Sequence, residues 1–142
     1  MVIDCGTPDC QTLMIACPEF AASGPGQIQR KFLALKASGI DPGLPTTPFL
    51  AAPDGRGFFQ HYSTGMSIYW SPNTGAHAIH GAIRDHWESL GWEAGVLGYP
   101  LTDVTTTADG KIHFAIFQYG TILCDPRCKV LKRYLLTVTS RS

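Results

Sequence analysis

The chain repeats itself at a fixed offset, the one that carries Ile28 onto Ile83, so whatever it folds into must be built from one unit made more than once. Sliding residues 28–70 forward by that offset also sets Phe32 on Trp87, and Gly43 and Pro45 on Gly98 and Pro100. Asp54-Gly55 falls on Asp109-Gly110, Phe59 on Phe114 and Gly65 on Gly120. One residue then drops out, and Pro72 meets Pro126. A shorter echo comes earlier, because Cys17-Pro18 stands where Ser71-Pro72 and Asp125-Pro126 stand. The organisation expected is a single domain: a partial repeat over residues 1–27, repeats over 28–82 and 83–126, and a strand or tail over 127–142.

Within each unit the pattern predicts a helix, a loop and a hairpin. Ile79, Ile83, Trp87 and Leu90 recur at helical intervals behind a cap at Asn73 or Thr74, with Gly91 as the stop. The first-copy helix is expected over residues 27–38, with Ile28, Phe32 and Leu35 on its buried stripe. Asp54-Gly55 and Asp109-Gly110 supply tight turns, each followed by two β-like runs, over 57–62 with 67–70 and over 111–117 with 121–124. Residues 130–139, rich in Val, Leu, Tyr and Thr, can add a strand.

Hydrophobic content of 44% against 15% charged residues describes a globular chain, and the formal net charge of zero gives no field to draw it to nucleic acid or an anionic membrane. Five positive residues between Arg127 and Arg141, with no acid among them, are the local exception and read as a solvated edge or an anion-facing strip. No apolar run approaches the length of a membrane helix, and Asp4, Cys5, Pro8 and Asp9 interrupt any signal-like core at the N-terminus. The cysteines sit at the two ends, Cys5, Cys10 and Cys17 against Cys124 and Cys128. Two disulfides crossing between these groups would staple the termini and imply an oxidising compartment; free thiols and a structural zinc site are the alternatives.

The run Gly65-Met66-Ser67-Ile68-Tyr69-Trp70-Ser71-Pro72, then Trp87-Glu88-Ser89-Leu90-Gly91, then Leu97-Gly98-Tyr99-Pro100, resembles the LGFP repeat, whose Leu-Gly-Phe-Pro signature here reads with Tyr99 in third place. The likeness is specific over residues 67–100 and weaker out to 28 and 126. It implies a non-catalytic module of cell-envelope proteins in mycolate-walled actinobacteria, sometimes appended to enzymes and holding them to wall polysaccharide. The fold it implies is α+β, short helix and β-hairpin repeats in a closed, propeller-like pseudo-symmetric ring. The first signature has become Pro42-Gly43-Leu44-Pro45, and there are too few units for a five-part ring. Closure then needs either the N-terminal stretch 12–16 paired with the C-terminal hairpin or tail and locked by the cysteines, or a second chain, so monomer and homodimer are both open.

Candidate ligand-binding residues follow. On a helix over 76–90, His77, His80 and Arg84 would share one face, able to grip a hydroxylated or anionic ligand or, for the two histidines, a metal; the plainer reading is a solvated face with Arg84 paired to Glu88. Tyr69 and Trp70, adjacent on a strand, point to opposite faces, one into the core and the other able to serve as a platform for a sugar ring, backed by Asp54. Trp92 and Tyr99 are further candidates, and Asp109 repeats Asp54, though a turn explains both acids. With neither His-Glu-x-x-His nor Gly-x-Ser-x-Gly, no catalytic residue, metal or cofactor is assigned. The function expected is a secreted or cell-surface, lectin-like module whose partner is a polysaccharide or glycan. The alternatives are a small hydrolase or toxin-like effector using His77, His80 or His113, and an interaction unit completed by its partner.

Overall fold

A computed structural model describes residues 18–125 and 127–132, which fall into two compact units divided between Ala78 and Ile79. The first unit opens with α1 (Pro18–Ala22) and α2 (Gly24–Ala37). Ser23 caps α2, its Oγ accepting from the Gly26 N–H at 3.1 Å, and Pro25 occupies the first turn, where no N–H is needed. Four strands follow, β1 (Leu50–Ala51), β2 (Phe58–His61), β3 (Ser67–Ser71) and β4 (Gly75–Ile79), hydrogen-bonded in chain order as one sheet. Alternation sends Ile68 and Trp70 of β3, with Phe58 of β2, toward α2. There they meet Ile28, Phe32 and Leu35 in one core, with Phe32 stacked on Tyr62 at 5.4 Å.

The second unit has α3 (Gly81–Ser89), a 3-10 turn (Trp92–Ala94), and strands β5 (Thr105–Thr106), β6 (His113–Phe117), β7 (Gly120–Cys124) and β8 (Cys128–Lys132), again paired in chain order. Ile83 and Trp87 of α3 are buried, and Trp87 lies 5.1 Å from the ring of Phe117. The indole also donates from Nε1 to the Gly98 carbonyl at 3.2 Å.

The repeat is reproduced bond by bond. Thr46 N–H donates to His61 O, and at the equivalent positions of the second copy Leu101 N–H donates to Ile116 O. His61 N–H reaches Thr47 Oγ1 at 3.2 Å, as Ile116 N–H reaches Thr102 Oγ1 at 3.0 Å. The bridges Pro45 to Tyr62 and Pro100 to Phe117 match, as do the two Asp-Gly turns, where Asp54 accepts from Arg56 N–H and Asp109 from Lys111 N–H. These are backbone demands, met by the prolines, glycines and small polar side chains that align between the copies.

Three expectations are corrected. The ring is not formed: the described residues make two open four-stranded sheets, and β4 and β8 each pair onto the third strand of their own sheet, so neither sheet closes on itself. The helix expected from residue 73 starts only at Gly81, because residues 75–79 are drawn into the sheet as β4. Gly81 takes φ +64, a turn that glycine permits and a helix interior does not, which is why the apolar spacing misled at Ile79. Finally, Cys124 is bonded to Cys128, its direct neighbour across β7 and β8, so neither is available to staple the termini. A loop this short is worth about 2 kcal/mol in the chain-entropy account, well below what a chain-spanning bridge would give. Cys5, Cys10, Cys17 and the expected strand at 12–16 lie outside the described residues.

Candidate functional site

The start of α3 and the first hairpin of the second sheet frame a pocket of about 290 Å³, lined by His80, Gly81, Ala82, Ile83, Val104, His113 and Cys124. Each lining residue arrives for a local reason. His80 is the extended residue immediately before the helix, at φ −152° and ψ 171°, and Ala82 and Ile83 belong to its first turn. His113 begins β6 and Cys124 ends β7, and the two are register partners, so they stand side by side on one face. His113 is fixed by a 2.8 Å hydrogen bond between its Nδ1 and Thr106 Oγ1 on the adjacent strand. Val104 and Asp103 approach in the chain just before β5.

The floor is apolar and the rim is polar and titratable. Burial holds the His80 imidazole below its ordinary range, Asp103 acts in the opposite direction, and His113 adds a smaller downward push. At neutral pH His80 is therefore an uncharged imidazole beside a carboxylate, able to donate from one nitrogen and accept at the other. Among the described residues no group of three or more His, Cys, Asp or Glu could hold a metal ion.

The same place in the first unit is full. The repeat offset, taken backwards from Val104 and His113, gives Phe49 and Phe58, and the register partner of Phe58 is Trp70, just as that of His113 is Cys124. All three rings pack against the first unit's core. Phe58 and Trp70 lie so close over Gly24 that a Cβ there would come within 2.5 Å of the first and 2.7 Å of the second. Phe20 of α1 adds a further ring, 6.5 Å from Phe49. The second unit thus keeps the frame and lacks the filling.

Residues 43–95 match the family model of the LGFP repeat. This is a cell-wall-associated repeat family, typical of proteins at the cell surface. The LGFP match opens inside the first signature, at Gly43, and runs through β1 to β4, α3 and the 3-10 turn, stopping just short of Leu97-Gly98-Tyr99-Pro100. No curated protein matches the chain. Among the described residues no helix is long and apolar enough to cross a membrane.

Within and around the LGFP match, the residues singled out from sequence are dispersed. Tyr69 is 1% exposed and stacked on Phe59 at 4.8 Å, and Trp70 is part of the aromatic filling, so both are packed. His77 sits on β4 and donates from Nε2 to the Thr74 carbonyl at 2.6 Å; with the helix starting later, it shares no helical face with His80 or Arg84. Arg84 and Trp92 are brought together, the guanidinium 5.1 Å over the indole, which in turn meets Trp87 edge-on at 5.4 Å. Tyr99 is buried, its N–H held by Gln118 Oε1. Asp54 and Asp109 are turn residues; a 2.6 Å bond from the Thr107 hydroxyl, then one from Lys111 N–H, hold the Asp109 carboxyl below its usual range.

Of the ligand candidates, His80 alone lines the pocket. His113 entered only as a candidate of the hydrolase reading, and Asp103 and Val104 were missed. The signal was nonetheless present: comparing side-chain size between equivalent positions of the two copies shows ring after ring giving way to something smaller.

Proposed function

We propose that the chain is a non-catalytic, secreted or surface-held module that binds cell-wall carbohydrate. The observation that carries this reading is the LGFP match over residues 43–95, since that family belongs to the cell wall. The second unit supports it with an open pocket whose apolar floor and polar rim suit a ligand that is apolar on one face and hydroxylated at its edge. Co-sedimentation of the purified chain with insoluble cell-wall polysaccharide tests it. Saturable pelleting, competed by soluble fragments of the same polysaccharide, is the expected result. Pelleting no greater than with cellulose or with no polymer would remove the reading.

A further inference from the structure

We infer that, among the described residues, the second repeat holds a saccharide-ring site in the space that Phe49, Phe58 and Trp70 fill in the first. The inference rests on the carbohydrate reading above and narrows it to one place. Four lining positions and the neighbouring Asp103 change together between the copies, all at the common offset except the last, which follows the single deletion: Pro25 to His80, Pro48 to Asp103, Phe49 to Val104, Phe58 to His113 and Trp70 to Cys124. Loss of bulk alone would leave an apolar hollow. Here the bulky rings are absent and two imidazoles, His80 and His113, line the pocket, with Asp103 close enough to act on His80.

That pairing selects the ligand class. The hollow that rings fill in the first copy still has an apolar floor in the second, in Ala82, Ile83, Val104 and Cys124. An aromatic ligand would reproduce the packing of the first repeat, yet it would leave His80 and His113 facing a group with little to bond. A pyranose offers its C–H face to the floor and its hydroxyls to the rim, where an uncharged imidazole can both donate and accept. With Nδ1 of His113 engaged by Thr106, the ligand meets Nε2. At about 290 Å³ the pocket stands at the lower limit of small-molecule sites, which fits one ring and not a chain of them. In the first repeat the corresponding corner is already filled from within by Phe49, Phe58 and Trp70.

The test transplants the first repeat's filling. In the full chain, V104F/H113F places at both positions the residues the other copy uses, and H80A removes a rim group without adding bulk. The imidazole signals of His80 and His113 are followed by NMR during titration with methyl pyranosides of glucose, galactose and mannose, and separately with tyrosinamide. Saturable shifts with at least one pyranoside are expected in the wild type, abolished at His80 by V104F/H113F and weakened at least tenfold at His113 by H80A. Polysaccharide co-sedimentation should fall at least tenfold in both variants, each first shown to be folded by its circular dichroism. If folded V104F/H113F pellets as well as the wild type, the site is elsewhere while the wall-binding reading stands. Shifts with tyrosinamide and none with any pyranoside would overturn the ligand class, and no shift with either would overturn the pocket as a site.

Discussion

The two repeats share a skeleton and differ in what fills it. Strand pairings, Asp-Gly turns, proline bridges and the buried ring pair of Phe32 with Tyr62, matched by Trp87 with Phe117, recur at the same offset. The corner between helix and hairpin does not recur: it is solid with aromatic rings in the first copy and hollow, with a polar rim, in the second. The difference separates two kinds of constraint. Backbone hydrogen bonds can be made by almost any residue, and the left-handed turns are kept by glycine, so the frame persists through drift. The corner is set by side-chain volume, which can change without disturbing any strand.

The largest effect should come from the shared part. Phe32→Ala and Trp87→Ala each remove a fully buried ring and are expected to cost about 3–5 kcal/mol, read from urea unfolding. Trp87→Phe should cost about 1 kcal/mol by losing the bond to the Gly98 carbonyl, a penalty for which Phe32 has no counterpart. Costs below about 1 kcal/mol for both alanine variants would show that the two ring pairs are not the supports the packing makes them. A smaller contrast lies on the helices, where Gln29 corresponds to Arg84. Gln29 is fully buried and its amide has no hydrogen-bond partner among the described residues, whereas Arg84 lies over Trp92. Gln29→Met is therefore expected to stabilise the chain by about 1–3 kcal/mol, and a destabilised variant in thermal or urea unfolding would mean that the amide is satisfied.

The finest test concerns the open corner. His80 should titrate below the ordinary histidine range of about 6.5 in an NMR pH series. His113→Ala should raise that midpoint by removing a like charge, and Asp103→Asn should lower it further by removing an opposite one. Because the folded value lies below the unfolded one, the unfolded chain binds more protons between the two. The contribution of His80 to stability is thus complete above the unfolded value and is lost as pH falls through the folded one. A midpoint above the ordinary range would contradict the partial burial of the ring.

Much of the frame was legible in the sequence. The Asp-Gly pairs and the β-like runs beyond them located both hairpins, since turn chemistry and alternation are local signals. The start of α3 was not, because Ile79 fits a helical stripe and a strand equally well and only the sheet chose between them. Ring closure was not legible either: which edge a fourth strand takes depends on partners distant in sequence, and β4 and β8 took their own hairpins. Apart from His80, the pocket was readable only by comparing volumes between copies. Tyr69, Trp70 and Tyr99 drew attention as aromatics, but aromatic rings are what proteins most need inside.

The bond between Cys124 and Cys128 has a bearing on how such a chain would be made and how it would age. Its partners stand four residues apart, so the oxidation needs only the last hairpin to meet itself and no long search through the rest of the polypeptide. The same locality means that it secures nothing beyond that hairpin. A protease cutting anywhere between residue 18 and Cys124 would leave two fragments that this bond does not hold together.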